Sequence, residues 1–321
     1  MFLDCVTSFA TCLRVGPGLP PAARGRIGGT GLGEPSALSE MYAAVSSPAA
    51  IIGNVTNWYD PASLPKFRFP PVYEVALVIE FAAPHGHNFI KLARLQDHFP
   101  QGYGTITEQN GAPPSSLITE GPPTLALSFG EPPRRIWNAK PGSGRLVQTQ
   151  LDRMIFNWRA SDSGEGYPGY RNALRGEFLE LWGAMTEYFA SEGLQPPVPV
   201  LAEFDYFNKV PLEPGDNLAD VVTLIRTPDV EVPGKDTFGR FQFVRDVEES
   251  DIDVYRGQIV VVGEPGPPDE GRSLMLTVTS RVLFSGTDDV MDALDHAQAL
   301  ASHSFARLIT DEKKRQWEQY Q

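Results

Sequence analysis

An α+β fold, with antiparallel sheets in two halves each covered by helices, is what this 321-residue chain predicts. Three observations lead there. Strand-length runs alternate apolar with polar side chains, which gives each strand one buried face. Short polar loops join neighbouring runs, so consecutive strands pair antiparallel. Two long segments carry apolar residues at helical spacing, and each closes a series of strands.

Residues 1–64 stand apart. Val15 to Pro35 is rich in Gly and Pro, offers few large apolar side chains to offset its ordering entropy, and is expected to be disordered. Ser36 to Val45 has the pattern of a short helix, and a start at Met41 would remove most of the unusual composition, so a misassigned start is one explanation. The body then divides into an N-terminal α+β half, residues 65–212, and a C-terminal β-meander with a long helix, residues 213–321.

The first strand is Val72 to Phe81, where Tyr73, Val75, Leu77, Ile79 and Phe81 form an unbroken apolar set. Asn88 to Phe99 reads as a helix lying on the sheet, ended by Pro100 and Gly102. Gly111 to Pro123 is a Pro/Ser loop. Thr124 to Phe129 and Arg134 to Trp137 are short strands, and Leu146 to Arg159 is a longer one. Its alternation changes phase: Val147, Thr149 and Leu151 share one parity, while Met154, Phe156 and Trp158 share the other. One extra residue would accommodate the switch, which places a β-bulge or bend at Asp152-Arg153.

Asp162 to Gly166 is turn chemistry. Tyr170 to Ser191 is the first long helix, with Gly193 as its C-cap, and Val200 to Val210 returns as a strand. In the second half a short helix, Leu218 to Ile225, precedes strands at Gly239–Val247, Ile252–Val262 and Ser273–Phe284. A helix from about Asp288 to the end follows, capped by Thr287 or Asp288.

Composition excludes several functions. A net charge of −13 with no polybasic run argues against nucleic acid, whose phosphates need clustered Lys and Arg. Both cysteines, Cys5 and Cys12, lie in the tail, so the body has no disulfide framework or Cys-based zinc site, and a reducing cytoplasm fits. No apolar run reaches the ~20 residues a membrane span requires. His85 and His87 are two apart, with only His98 near them in sequence, too few for a metal site. His296 is expected to pair with Asp292 at the surface. The glycines of Gly28 to Gly33 follow no strand, so they make no dinucleotide fingerprint. No cofactor, metal or catalytic residue is assigned.

Several segments together resemble a bacterial and archaeal family of unknown function, a TIGR-type family described as sporadically distributed. They are Phe69-Pro70-Pro71-Val72 with Glu74, Gln148-x-Gln150-x-Asp152-Arg153, Asn157-Trp158-Arg159, and Tyr167-Pro168-x-Tyr170. Phe178 with Trp182, the run Glu203 to Asn208, and His303 to Thr310 before Trp317 complete the likeness, which covers about Phe67 to Trp317. The resemblance supports the limits of the body and points to the same central strand. It implies no reaction.

The candidate binding residues are Gln148, Gln150, Asp152, Arg153, Asn157, Arg159 and Tyr167. Amides, a carboxylate and guanidiniums on one strand face suit a polar ligand or a partner's main chain. The competing reading is a structural network in which Asp152 or Arg153 pairs with Glu203 or Asp205. Asn157-Trp158-Arg159 with Tyr167-Pro168 would wall an aromatic pocket. The function expected is a cytoplasmic binding protein for a protein or small polar ligand. A hydrolase using Glu74, Asp152, Glu203 or Asp205 with an arginine is one alternative, and a subunit of a homo-oligomer is another. On the binding reading, changing Arg153 and Arg159 to Ala weakens binding and leaves the fold intact.

Overall fold

The strand whose odd positions are all apolar forms the middle of a sheet. In a computed structural model describing residues 60–113, 115, 117–118, 134–160, 166–213, 216–225, 239–247, 255–284 and 290–321, β1 (Val72–Ala82) lies between two antiparallel neighbours. One neighbour is β5 (Arg153–Arg159) and the other is β6 (Val198–Pro211). Beyond β5 come β4 (Arg145–Gln150), β3 (Arg134–Lys140) and the edge strand β2 (Thr105–Asn110). Beyond β6 come β9 (Ser273–Leu283), β8 (Gly257–Pro265) and β7 (Phe241–Val247).

Among the described residues, all nine strands belong to one antiparallel sheet. The two-half arrangement is therefore not seen: β6 pairs with β9 from Leu201↔Leu283 to Pro211↔Ser273, across the expected division at residue 212. The described residues fall in one compact unit, Asn54–Gln321. The expected disordered tail up to residue 59, its short helix and the strand at Thr124 to Phe129 lie outside the described residues.

The phase change in Leu146 to Arg159 has a simpler cause than a bulge. The segment is a tight hairpin, with Leu151-Asp152 as its two-residue turn and Gln150 opposite Arg153. Pairing across a two-residue turn puts an even position opposite an odd one, so side-chain parity inverts while the faces stay the same. Val147, Met154, Phe156 and Trp158 thus share the buried apolar face. Gln148, Gln150, Arg153 and Asn157 share the other.

Helices cover the apolar face. A short α1 (Phe89–Leu92) and a 3₁₀ turn at Leu95–His98 replace the single helix expected there. One π-helical turn, Tyr170–Leu174, leads into α2 (Arg175–Ser191), whose Trp182 and Phe189 meet Phe81 edge-on. α3 (Val290–Leu308) lies against β6 and β9 and is buried along most of its length. It breaks at Ile309-Thr310, where the Thr310 side chain caps α4 (Asp311–Gln316). His296 is buried rather than at the surface: its Nδ1–H donates to the Asp292 carbonyl, and Tyr255 packs on its ring. Of the helix expected at Leu218 to Ile225, a 3₁₀ turn forms at Leu218–Asp220 with a capping box.

Candidate functional site

Six of the seven candidate residues lie on or beside the sheet face that the helices do not cover. Strand register extends this polar face well beyond them. Alongside Gln148 and Gln150 on β4 and Arg153, Asn157 and Arg159 on β5 lie Glu74 and Glu80 on β1, and Glu203 and Asp205 on β6. Further out are Thr279 and Arg281 on β9, Gln258 on β8 and Asp246 on β7. A small apolar cluster of Ala76, Val78 and Ile155, with Phe207 against it, sits among them.

The expected accessible recess is absent at these residues. Gln148, Gln150, Arg153 and Asn157 are all buried, and only Asp152, in the hairpin turn, and Arg159, at the strand end, keep partial exposure. The charges are matched across strands. Arg153 Nη1 lies 3.0 Å from Glu80, Arg159 Nη2 lies 2.8 Å from Glu74, and Arg281 pairs with Glu203. Arg153 also bonds the Asp152 carboxylate, through Nε at 3.1 Å and Nη2 at 3.2 Å. Asn157 accepts from Gln148 at 2.6 Å and donates to Glu74 at 3.0 Å. The partners differ from the competing reading, since neither Glu203 nor Asp205 pairs with the central hairpin. The physical reason for burial is that ions taken out of water need partners on every side, and each strand supplies the next one's counter-ion.

The face is also crossed by the chain itself. Gln150 accepts a hydrogen bond from the Ala112 N–H (2.9 Å) and donates to the carbonyl of the same residue (3.2 Å). Gln258 repeats the pattern on Ile118, at 2.9 and 2.8 Å. Each glutamine is oriented by an aspartate that accepts its second N–H: Asp152 at 3.0 Å and Asp246 at 2.8 Å. Between the two clamps, Arg153 donates to the Pro113 carbonyl (2.7 Å), and Glu80 accepts from the Ser115 N–H (2.7 Å). The Ser115 hydroxyl reaches Glu203 at 3.3 Å.

Successive residues of the segment thus meet successive strands. Gln150 and Gln258 are five strand spacings apart, roughly 24 Å at about 4.8 Å each. Among the described residues of the segment, main-chain groups make every one of these bonds except that of the Ser115 hydroxyl.

Asp205 and Glu74 both have carboxyl pKa values raised. Burial is the main cause for each; for Asp205 the nearby Glu203 carboxylate adds to it, while Arg159 and Asn157 oppose it at Glu74. Thr279 donates to Asp205. A carboxyl whose folded pKa lies above its unfolded value adds stability below the unfolded pKa and loses it as pH rises through the folded one. Asp205→Asn keeps an acceptor for Thr279 and carries no charge. Its melting temperature relative to the parent is expected to climb as pH rises from 4 to 9; a constant difference would rule the linkage out.

Tyr167 belongs to the other side of the sheet. Its ring packs on Trp158 and Tyr206, and its hydroxyl lies 3.4 Å from that of Tyr206. Burial, then the neighbouring Tyr206, raises its phenol pKa well above the usual value. It lines a cavity of about 360 Å³ together with Tyr206, Asn208, Gln298 and Ser302. The sequence signals Tyr167-Pro168 but not these partners, which come from β6 and α3. Asn157 and Arg159, expected in the same pocket, face away from it, because alternate residues of β5 point to opposite sides.

His87 and His98 pack on the rings of Tyr188 and Phe189 of α2. Among the described residues no group of three or more metal-ligating side chains is assembled, and no helix is long and apolar enough to cross a membrane. No family model matches the chain, and no curated protein matches it.

Proposed function

We propose that this chain is a cytoplasmic binding protein whose polar sheet face is a receptor for main chain, with its own Ala112, Pro113, Ser115 and Ile118 as the occupant in cis. One observation carries this reading: two glutamines, each oriented by an aspartate, grip one residue apiece through both its N–H and its C=O. Such contacts ignore side-chain identity, so an extended segment of a protein partner can replace the resident one. Of the candidate residues, Gln150 and Arg153 hold the segment and Asp152 orients them, whereas Gln148, Asn157 and Arg159 bond one another and Glu74, and Tyr167 lies on the other side. Those residues coincide with the motifs shared with the sporadically distributed family, and membership of that family belongs to the same proposal.

The hydrolase alternative draws support from the raised Asp205 and Glu74 pKa values, since functional carboxylates are often perturbed. Burial chiefly raises both, and their bonds to Thr279 and Arg159 oppose the rise, which equally suits carboxyls kept as structure.

Proline has no N–H to give, so Ala112→Pro with Ile118→Pro removes the N–H bond of each clamp, two of the four clamp bonds, and weakens the hold on the resident segment. The double variant is expected to bind a free peptide of residues 111–118, measured by fluorescence anisotropy, where the parent does not. Adding Gln258→Leu should abolish that binding. A released face that binds no peptide would leave the segment as a purely structural strap.

A further inference from the structure

The glutamine clamps grip main chain alone, so a preference of the polar face for one segment over another has to come from its other side chains. Arg153 is answered by Glu80 and Asp152, Arg159 by Glu74, and Arg281 by Glu203. Arg135 is not answered. It lies on β3 opposite Gln109 of β2, and since Ile136 faces Thr149, its neighbour on β4 is Gln150. It is 3 % exposed, and among the described residues its Nε and Nη1 have no acceptor. Its guanidinium sits over Trp137, 5.3 Å from the ring centroid, and the buried Nε1–H of Trp137 also lacks an acceptor. A guanidinium and an indole N–H only donate, so the shortage is of acceptors whatever the rotamer. Burial, then the like charge of Arg153, lowers the Arg135 pKa. A charge held out of water without a counter-ion is costly, and a cation–π contact worth about 0.5–2 kcal/mol offsets only part of that.

The resident segment has nothing to offer there. Asn110 ends β2 opposite Arg134, and Ala112 is held by Gln150 on β4, so the chain crosses β3 beside Arg135 at Gly111. Gly111 has no side chain, and those of Ala112 and Pro113 carry no acceptor. The Nε and Nη1 of Arg135 are sealed while these residues are in place, so an acceptor reaches them on a segment that takes their place. A carboxylate suits both donors, since it takes two N–H bonds from a guanidinium and keeps lone pairs for the indole.

On the receptor reading of this face, we infer that the partner segment carries an aspartate or glutamate one residue before the residue that Gln150 clamps, and that this carboxylate pairs with Arg135. Where the resident chain has Gly111, the incoming one has an acid, and its pairing favours exchange of one segment for the other.

The receptor for the test is the full chain with Ala112→Pro and Ile118→Pro. N-acetylated peptides of residues 110–118 are titrated against it by fluorescence anisotropy: the parental sequence and its Gly111→Glu, Gly111→Gln and Leu117→Glu forms. The Gly111→Glu peptide should bind about tenfold more tightly than the Gly111→Gln peptide, the effect of one well-placed charge pair. Arg135→Gln in the receptor should erase that difference. Circular dichroism establishes that the Arg135→Gln receptor is folded. If it is not, the Leu117→Glu peptide decides, because a glutamate beside the Gln258 clamp, at the far end of the segment, should gain nothing. Equal binding of the Gly111→Glu and Gly111→Gln peptides would overturn the inference and leave the receptor standing. So would a gain that survives Arg135→Gln or is matched by Leu117→Glu. Binding of no peptide at all would instead sink the receptor reading, and the acidic partner with it.

Discussion

Arg153→Ala is expected to lower the unfolding free energy by about 3–5 kcal/mol, the range for breaking a buried ion pair from one side. Its side chain is 2 % exposed and serves Glu80, Asp152 and the Pro113 carbonyl together. Truncation leaves Glu80, itself 13 % exposed, facing the cavity where the guanidinium was. Urea denaturation should show a lower midpoint with an unchanged slope. Arg153→Met with Glu80→Gln removes both charges and keeps an acceptor for the Ser115 N–H, so it should regain most of the loss. A single variant within 1 kcal/mol of the parent would mean that the pair is dispensable. The outcome expected from the strand pattern alone was an intact fold, because that pattern placed Arg153 in water.

Removing both glutamine clamps is the second large effect. Gln150→Leu with Gln258→Leu strips partners from an N–H and a C=O at each end of the crossing segment. These main-chain groups are only part-buried, Ile118 itself being exposed, so water takes over and each lost hydrogen bond costs about 0.5–1 kcal/mol. The sum expected for the four bonds is about 2–4 kcal/mol, divided nearly evenly because the two clamps are alike in geometry and share no partner. Hydrogen exchange localises the change: the amides of Ala112 and Ile118 should lose protection while those of β1 keep theirs. Uniform loss across the sheet would show that the clamps hold the strands rather than the segment.

Much of the architecture was legible because it rests on local pattern. The odd positions of β1, the stripe of α2 and the meander after residue 239 each announce one buried face. Thr105–Asn110 was missed: TITEQN has a single large apolar residue, and as an edge strand it is held by the pairing of Arg134–Lys140. The hairpin at Leu151-Asp152 was read as a bulge, since both devices invert parity and the turn lacks Gly or Asn. At the candidate site, the clustering of amides and arginines was readable but their burial was not. That depends on Glu80, Glu203 and Ser115, which are distant in sequence and become neighbours only through strand order. Gln258 is 140 residues from the main-chain group it holds, and a contact through backbone atoms leaves no residue preference to detect.

That separation has a kinetic consequence. The link from Ile118 to Gln258 closes a loop of nearly half the chain, and the strands it crosses must already be side by side. Because β8 must pair with β9 before the fastening holds, we expect it to follow the rate-limiting step, so that Gln258→Leu speeds unfolding and leaves the refolding rate unchanged in stopped-flow measurements. Bonds made on the far side of a barrier leave the speed of ascent alone and deepen the well behind it. The crossing thus works as a bolt, shot once the door has closed, and it governs how long the sheet stays shut.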